Sequence, residues 1–231
     1  MKCSMCDENA IVSQRYSGKH LCGGHFIEDF DERVEETLKK SATIKQDDRI
    51  AVAVSGGKDS TALLYALNKI LTGKGTRIFA ITVDEGINGY RDDTIKSARK
   101  ITEDLGIEHV IVSFRDLYGF ELDEIIEGKE AAPCTYCGVF RKNALNKTAK
   151  YLGATKVATG HNLDDEAQSV LMNYMKGDIE RLMRFRPRRI QPGLIPRIKP
   201  FREIPEKETA LYCMINGIYA ESRECPYAKL S

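Results

Sequence analysis

Short apolar runs alternate with helical patterns from residue 50 onward. The runs IAVAV, RIFAITV, HVIVSF and KVATGH predict strands, and the intervening TALLYALNKIL, TIKSARKITEDL and LDDEAQSVLMNYM predict helices. Continuous apolar strands separated by helices are typical of a parallel sheet that is covered on both faces. We therefore predict an α/β fold with a Rossmann-like parallel sheet, whose ligands bind beyond the carboxyl ends of the strands.

The first 47 residues follow a different pattern. Residues 1–28 are rich in cysteine, histidine and glycine, with little hydrophobic periodicity, so a metal is the expected source of their order. An amphipathic helix is predicted next, because apolar residues recur every fourth position from Phe26 to Leu38. We predict a zinc-binding module over 1–28, a linking helix over 29–47 and one catalytic domain over 48–231, with a last helix near residues 204–215.

Length and cysteine usage narrow the class of protein. A chain of 231 residues can bury one substantial core. No apolar run approaches the roughly 18 residues that a membrane span needs. Four of the seven cysteines form two Cys-x-x-Cys pairs, which fits metal ligation in a reducing compartment better than disulfides. We therefore expect a cytoplasmic protein without membrane contact.

Charge is segregated along the chain, although the formal net charge is only +1. One segment without an acidic residue carries a run of basic side chains, namely Arg181, Arg184, Arg186, Arg188, Arg189, Arg197, Lys199 and Arg202. This run predicts a binding site for a polyanion, with the arginines between 181 and 189 as candidate phosphate contacts. The alternative is a solvated basic face.

A glycine-containing loop follows the first strand of the predicted sheet. Its sequence is Ser55-Gly56-Gly57-Lys58-Asp59-Ser60, and a helix begins directly after it. Glycines allow the backbone to approach a phosphate closely, and the first N–H groups of a helix bind anions. The spacing differs from the Walker pattern, so transfer of a γ-phosphate is not implied. Alternatively, the loop is a glycine turn in which Asp59 or Ser60 caps the helix.

The polar residues after KVAT are also ambiguous. Asn162 is a predicted N-cap, and Asp164 and Asp165 fall in the first turn of the helix that it begins. Acidic residues at that place stabilise a helix, so capping explains them as well as catalysis does.

The N-terminal cysteines have the spacing of a structural zinc site. Cys3 and Cys6 form one knuckle, and Cys22 and His25 form a second one with the same spacing. Four protein ligands leave no open position, so we expect a structural and not a catalytic metal. His20 is the alternative to His25 as the fourth metal ligand.

The remaining cysteines allow three interpretations. Cys134 and Cys137 form a Cys-x-x-Cys pair, Cys213 lies within a helical pattern, and Cys225 precedes a proline. The alternatives are a zinc site of four cysteines, a redox pair with persulfide chemistry, and an iron-sulfur cluster held by three of the four. Spacing does not separate them. A cysteine followed by proline is common among cluster ligands, whereas a helical cysteine is often a buried thiol.

The loop SGGKDS resembles the pyrophosphate-binding loop of the N-type ATP pyrophosphatases, the PP-loop superfamily. This resemblance implies that residues 48–231 are a PP-loop domain that binds ATP and that a nucleophile attacks the α-phosphate. The ATP-binding residues that it implies are Ala53, Val54, Ser55, Gly56, Gly57, Lys58, Asp59, Ser60, Val83, Asp84, Arg141 and Gly160.

The motifs together resemble one family along the whole chain. The N-terminal Cys/His knuckles, SGGKDS, VDEGINGYR, PCTYCGVFRK, TGHNLDDEAQ and ECPYAKLS are similar, in order, to those of the tRNA 2-thiouridine synthetases, the TtuA and NcsA group. This resemblance implies that a uridine 2-oxygen of tRNA is adenylated and replaced by sulfur. It also implies a 4Fe-4S cluster on Cys134, Cys137 and Cys225 and catalytic roles for Asp165 and Arg141. Lys142 is the neighbouring alternative to Arg141.

Cofactors and partners follow from the same resemblance. They are ATP with Mg²⁺, the 4Fe-4S cluster, zinc, tRNA, a sulfur donor (sulfide or a sulfur-carrier protein) and a second copy of the chain in a homodimer. Members of the group commonly carry a further zinc module after the third cluster cysteine, and no further Cys-x-x-Cys occurs before Ser231. The alternatives are a tRNA cytidine 2-thiolase, a non-catalytic zinc and RNA-binding module on a PP-loop fold, and an ATP-dependent amide synthetase.

Overall fold

A computed structural model of the chain describes residues 1–41, 44–126, 133–183, 193–221 and 223–230. The N-terminal part is an antiparallel hairpin of β1 (Val12–Gln14) and β2 (Lys19–Leu21), followed by the long helix α1 (Gly23–Ser41). The predicted helix is therefore present, and it begins inside the cysteine-rich segment. The predicted boundary at residue 28 falls within α1.

The larger part is an α/β domain. Its elements are β3 (Arg49–Ala53), α2 (Lys58–Leu71), β4 (Arg77–Asp84), α3 (Arg91–Asp104), β5 (His109–Ser113), α4 (Phe114–Tyr118), α5 (Leu122–Ile126), α6 (Pro133–Tyr151), β6 (Lys156–Ala158), α7 (Leu163–Met175), α8 (Ile179–Met183), β7 (Arg197–Ile198), α9 (Glu206–Ile215) and a 3₁₀ helix (Pro226–Leu230).

The domain is built on a five-stranded sheet in the order β5-β4-β3-β6-β7, and every pair of neighbouring strands is parallel. All four strands predicted from the apolar runs are present, which confirms the α/β prediction. Strand β3 pairs with β4, the next strand along the chain, on one edge and with β6 on its other edge. Such a switch point opens a crevice beyond the strand ends, where α/β proteins bind ligands.

Helices cover both faces of the sheet, because successive side chains of a strand point to opposite faces. Along β3, Ile50 and Val52 join a core with α1, α2, α3 and α9, whereas Ala51 joins a second core with α4, α5 and α6. The apolar positions of α1 are almost fully buried in the first core, as their spacing predicted. By contrast, α7 has no buried residue. Within the described residues, no helix is long and apolar enough to cross a membrane.

One buried imidazole makes the stability of this domain depend on pH. His109 at the start of β5 lies 2.7 Å from the Thr82 hydroxyl and 3.1 Å from the Thr102 hydroxyl. Burial, together with the nearby Arg99, lowers the pKa of His109 to about 4 from its ordinary 6.5. As the pH falls, His109 of the unfolded chain therefore binds a proton near pH 6.5, whereas His109 of the folded chain binds it only near pH 4.

We expect the His109 contribution to be complete above pH 6.5 and to be lost as the pH falls toward 4. The slope is at most about 1.4 kcal/mol per pH unit. Urea unfolding at several pH values would measure it, with His109→Gln as the control that lacks this titration. A wild-type and a variant profile of equal slope between pH 6.5 and 4 would contradict the assignment.

Candidate functional site

The N-terminal hairpin and α1 bring four metal-ligating side chains together. Among the described residues, one group of such side chains has ligand atoms that all lie within 4.8 Å of one another, and it consists of Cys3, Cys6, Cys22 and His25. Cys22 follows β2, and His25 lies in the first turn of α1. The rival His20 instead contacts the Ser13 hydroxyl across the hairpin, at 2.8 Å.

The separations within this group fit a tetrahedral ion. Metal–ligand distances of zinc place two sulfurs about 3.8 Å apart, and a sulfur and a nitrogen about 3.6 Å apart. Cys6 Sγ and Cys22 Sγ are 3.8 Å apart, and His25 Nδ1 lies 3.5 Å from Cys3 Sγ and 3.3 Å from Cys22 Sγ. The group is therefore a candidate metal centre of closed coordination.

The SGGKDS loop lies at the carboxyl end of β3. Gly56 has φ +90°, and a Cβ atom there would lie 2.0 Å from the carbonyl oxygen of Thr94. Gly57 is the N-cap of α2, and no side chain caps this helix. Ser60 Oγ accepts from the Ser55 N–H at 3.1 Å and thereby closes the turn. The arrangement leaves the positive end of α2 facing the crevice, which suits an anion.

The end of β6 meets this loop across the switch point. A Cβ atom on Gly160 would lie 2.9 Å from the carbonyl oxygen of Asp59, so the two segments touch. Asn162 caps α7 as predicted, because its side chain accepts from the Asp165 N–H and its own N–H donates to the Asp165 carboxylate, both at 3.0 Å. Asp165 therefore has a capping role, and its catalytic role stays a prediction.

Two charged residues that the sequence did not single out connect the loop to β4. Arg91 is buried and donates to the carbonyl oxygens of Ser55 at 3.3 Å and Val83 at 2.5 Å. Its Nε lies 2.8 Å from Glu85 Oε2 without the geometry of a hydrogen bond, so this contact is an ion pair. Glu85 is 3% exposed, and its other oxygen lies 3.5 Å from the Arg141 guanidinium.

Three cysteines predicted as cluster ligands occupy the same side of the sheet as Arg141. Cys134, Cys137 and Arg141 are spaced by three and four residues on α6, so they share one face of that helix. Cys225 directly precedes the 3₁₀ helix, and Cys134 Sγ lies 3.9 Å from the Tyr227 carbonyl oxygen. Burial raises the pKa of Cys137 to about 11. Arg141 opposes the shift, and Glu85 and the thiols of Cys134 and Cys225 add to it.

Cys213 lies elsewhere. It is buried on α9 in the core on the opposite face of the sheet, and its thiol contacts the Lys58 carbonyl oxygen at 3.6 Å. Cys137 and Cys225 pack with the core around α6. This placement favours a three-cysteine group over a site that uses all four.

Comparison with known proteins decides the family. Residues 28–219 match the family model of the PP-loop domain, and residues 2–27 match that of the N-terminal LIM domain of 2-thiouridine synthetase TtuA. The tRNA 2-thiolation protein NcsA of Haloferax volcanii is 38% identical, over 99% of this chain and 76% of its own length. The chain belongs to the NcsA-type tRNA 2-thiolation family.

Two further members of this family are similar to the chain. The U34-tRNA thiolase NcsA of Methanococcus maripaludis, solved with its 4Fe-4S cluster, has a TM-score of 0.90 and 38% identity, and the match covers 99% of this chain and 76% of that one. The cytoplasmic tRNA 2-thiolation protein 1 of Chlamydomonas reinhardtii is 38% identical over 98% of this chain. The chain spans only 65% of that relative's length.

Basic residues of α6 and of the C-terminal segment are neighbours, because Arg197 donates to the Lys142 carbonyl oxygen at 3.1 Å. Burial lowers the pKa of Lys142, and the positive charges of Arg197, Arg141, Arg181 and Lys199 lower it further. Of the predicted tRNA contacts, Arg181 is exposed and pairs with Asp178 at 3.1 Å. The others lie outside the described residues, namely Arg184, Arg186, Arg188 and Arg189.

Proposed function

We propose that this chain is an ATP-dependent tRNA uridine 2-sulfurtransferase. The observation that carries the proposal is a line of contacts between two candidate sites. Arg91 contacts the carbonyl oxygen of Ser55 in the loop, and Glu85 pairs with both Arg91 and Arg141. Arg141 and Cys137 are four residues apart on α6 and share one face of that helix. An activating site for ATP and a sulfur-transfer site would have to be neighbours, because both act on one uridine.

In the proposed reaction, the uridine 2-oxygen attacks the α-phosphorus of ATP, and the bond to pyrophosphate breaks. Sulfide then adds to ring carbon 2, the carbon–oxygen bond breaks, and AMP leaves. Hydroxide as a leaving group has a conjugate acid of pKa about 15.7, whereas a phosphate monoester has its second pKa at about 6. Even part of that difference justifies the use of ATP, because each pKa unit corresponds to about 1.4 kcal/mol.

The chain's own residues have separate roles in this proposal. The glycine loop and the start of α2 would hold the phosphates, with Lys58 as counter-charge and Mg²⁺ accompanying ATP. Cys134, Cys137 and Cys225 would hold a 4Fe-4S cluster, which with three protein ligands supplies one open iron for sulfide. Arg141, anchored by Glu85, would place positive charge between the two sites.

The test uses anaerobically prepared full chain with ATP, Mg²⁺, sulfide and unmodified tRNA. We expect AMP and pyrophosphate in step with 2-thiouridine, detected by nucleoside mass spectrometry. Formation of 2-thiocytidine would instead identify a cytidine thiolase. Absence of pyrophosphate would identify a binding module, and thiolation by protein shown to contain no iron would contradict the cluster.

We expect the basic segment to bind the phosphates of tRNA. If about half of its basic residues touch phosphate, the logarithm of the affinity should fall against the logarithm of salt concentration with a slope of about −3. Replacing Arg186, Arg188 and Arg189 together with alanine should make this slope less steep. The control replaces Lys39 and Lys40, an exposed basic pair on α1. Equal slopes for the two variants would contradict the assignment.

The N-terminal group is expected to bind one structural zinc. His25→Asn removes a ligand and should release the zinc and lower the melting temperature, because the cysteine-rich loop has few other sources of order. His20→Asn is the matched control, since His20 contacts Ser13. Zinc analysis and thermal unfolding measure both effects. Zinc loss from the His20 variant alone would reverse the assignment.

The partners proposed with this function are tRNA, a sulfur donor and a second copy of the chain. A sulfide or a sulfur-carrier protein fits the chemistry of the donor, and the homodimer is testable by light scattering of the purified chain. A cytoplasmic location is proposed because the Chlamydomonas relative is named as cytoplasmic and because two Cys-x-x-Cys pairs suit a reducing compartment.

A further inference from the structure

Helix α9 contacts the nucleotide loop at three places. Glu206 Oε1 lies 2.6 Å from Lys58 Nζ, Thr209 donates to Asp59 Oδ1 at 2.5 Å, and the Cys213 thiol contacts the Lys58 carbonyl oxygen at 3.6 Å. No other described helix of the C-terminal half makes this set of contacts to Lys58 and Asp59. The position of α9 therefore determines the surroundings of both residues.

Thr209 controls how Asp59 is oriented. Its hydroxyl is fully buried, and it shares Asp59 Oδ1 with the Asn162 side-chain amide, which lies 3.3 Å away. Only the other oxygen, Oδ2, contacts Lys58, at 2.9 Å. Without the short bond from Thr209, the carboxylate would be free to turn both oxygens to Lys58. Lys58 already pairs with Glu206, and a second carboxylate held closer to its ammonium group would weaken its attraction for a phosphate further.

The residue before Thr209 connects α9 to the N-terminal module. Glu208 is 1% exposed, and it accepts from the Tyr16 hydroxyl at 2.7 Å and pairs with Arg33 at 2.7 Å. Tyr16 belongs to the turn between β1 and β2, and Arg33 to α1. A buried carboxylate holds its position only with such partners, because an unpaired charge in a core is strongly unfavourable.

We propose that α9 couples the N-terminal metal-binding module to the nucleotide loop, with Glu208 and Thr209 as adjacent positioning residues. Glu208 fixes α9 against the module, and Thr209 fixes Asp59 in the loop. The inference rests on the proposed function only in taking ATP as the ligand of the loop. Neither residue is required to touch the nucleotide.

The first part of the test measures binding of ATP and Mg²⁺ to the full chain by calorimetry, without tRNA. Thr209→Val keeps the shape of the side chain and removes the hydroxyl, and we expect about tenfold weaker binding. Thr209→Ser retains the hydroxyl and should restore most of the affinity. Thr102→Val is the control, because it removes an equally buried hydroxyl that contacts Ala98, Arg99 and His109.

The second part tests the connection to the module. Tyr16→Phe removes one bond to Glu208 and should weaken ATP binding about threefold, although Tyr16 makes no described contact with the loop. In the Thr209→Val background the same change should have almost no effect, because the path to Asp59 is already broken. Additive effects of the two substitutions would overturn the coupling.

The outcomes separate this inference from the proposed function. If the wild-type chain binds no ATP, the proposed function fails and the coupling fails with it. If the wild type binds ATP and Thr209→Val binds equally well, only the coupling fails. Thermal unfolding is recorded for every variant. Should Thr209→Val not fold, unchanged ATP affinity of the folded Tyr16→Phe variant overturns the proposal.

Discussion

Replacing Cys225 with alanine is expected to release iron and stop tRNA thiolation while ATP binding continues. Cys225 lies beside the 3₁₀ helix near the Cys134–Cys137 pair, on the side of the sheet around α6. The SGGKDS loop is built on β3 and α2, so its backbone donors do not depend on this thiol. Iron and sulfide analysis, the visible spectrum and nucleoside mass spectrometry measure the losses.

The control for this substitution is Cys213→Ala. Cys213 is buried in the other core, and removal of a small thiol leaves little cavity, so we expect about 1 kcal/mol of lost stability with full iron content. A zinc site of four cysteines predicts instead that both variants lose metal equally. Full iron occupancy in Cys225→Ala would exclude the three-cysteine assignment.

Gly56→Ala is expected to distort the loop and abolish ATP binding, and Gly57→Ala to leave the fold of the loop unchanged. The left-handed backbone at Gly56 disfavours any other residue by about 1–2 kcal/mol, and the new methyl group would overlap the Thr94 carbonyl oxygen. Backbone atoms cannot rotate away, so the loop itself must move. Gly57 has an extended backbone with φ −82°, and its nearest neighbour, Ser55 Oγ, would lie 3.7 Å from a Cβ atom.

The two glycine variants are compared by calorimetric titration with ATP and by their melting temperatures. Because the two residues are adjacent, differences in expression or purification do not explain a loss of stability in the Gly56 variant alone. Equal melting temperatures of the two variants would contradict the close approach of the loop to α3.

Much of the fold could be predicted because its signal is local. The apolar run around Ile50 has the length of a buried strand, and the spacing of Phe26 and Phe30 marks one face of α1. Strand β7, in contrast, has only two residues, Arg197 and Ile198. Its pairing depends on β6, which the periodicity of the segment cannot reveal.

The candidate site could be predicted where one segment carries a complete motif. The knuckles at Cys3 and Cys22 and the loop from Ser55 are of this kind. Glu85 and Arg91 were missed as individual residues because their importance arises only when β4, α3 and α6 meet. A buried carboxylate between two arginines has no sequence spacing of its own, although both residues lie within the VDEGINGYR motif.

The contact between Tyr16 and Glu208 joins positions 192 residues apart. The four candidate metal ligands all lie between Cys3 and His25, so they are synthesised long before α9. At about 5–20 residues per second, synthesis separates the two events by roughly 10–40 s. During that interval Phe30 of α1 lacks the Tyr212 ring on which it later stacks. A ribosome making this protein thus carries the candidate metal site on a helix whose apolar face is not yet fully covered, and transiently exposed apolar surface is what chaperones recognise.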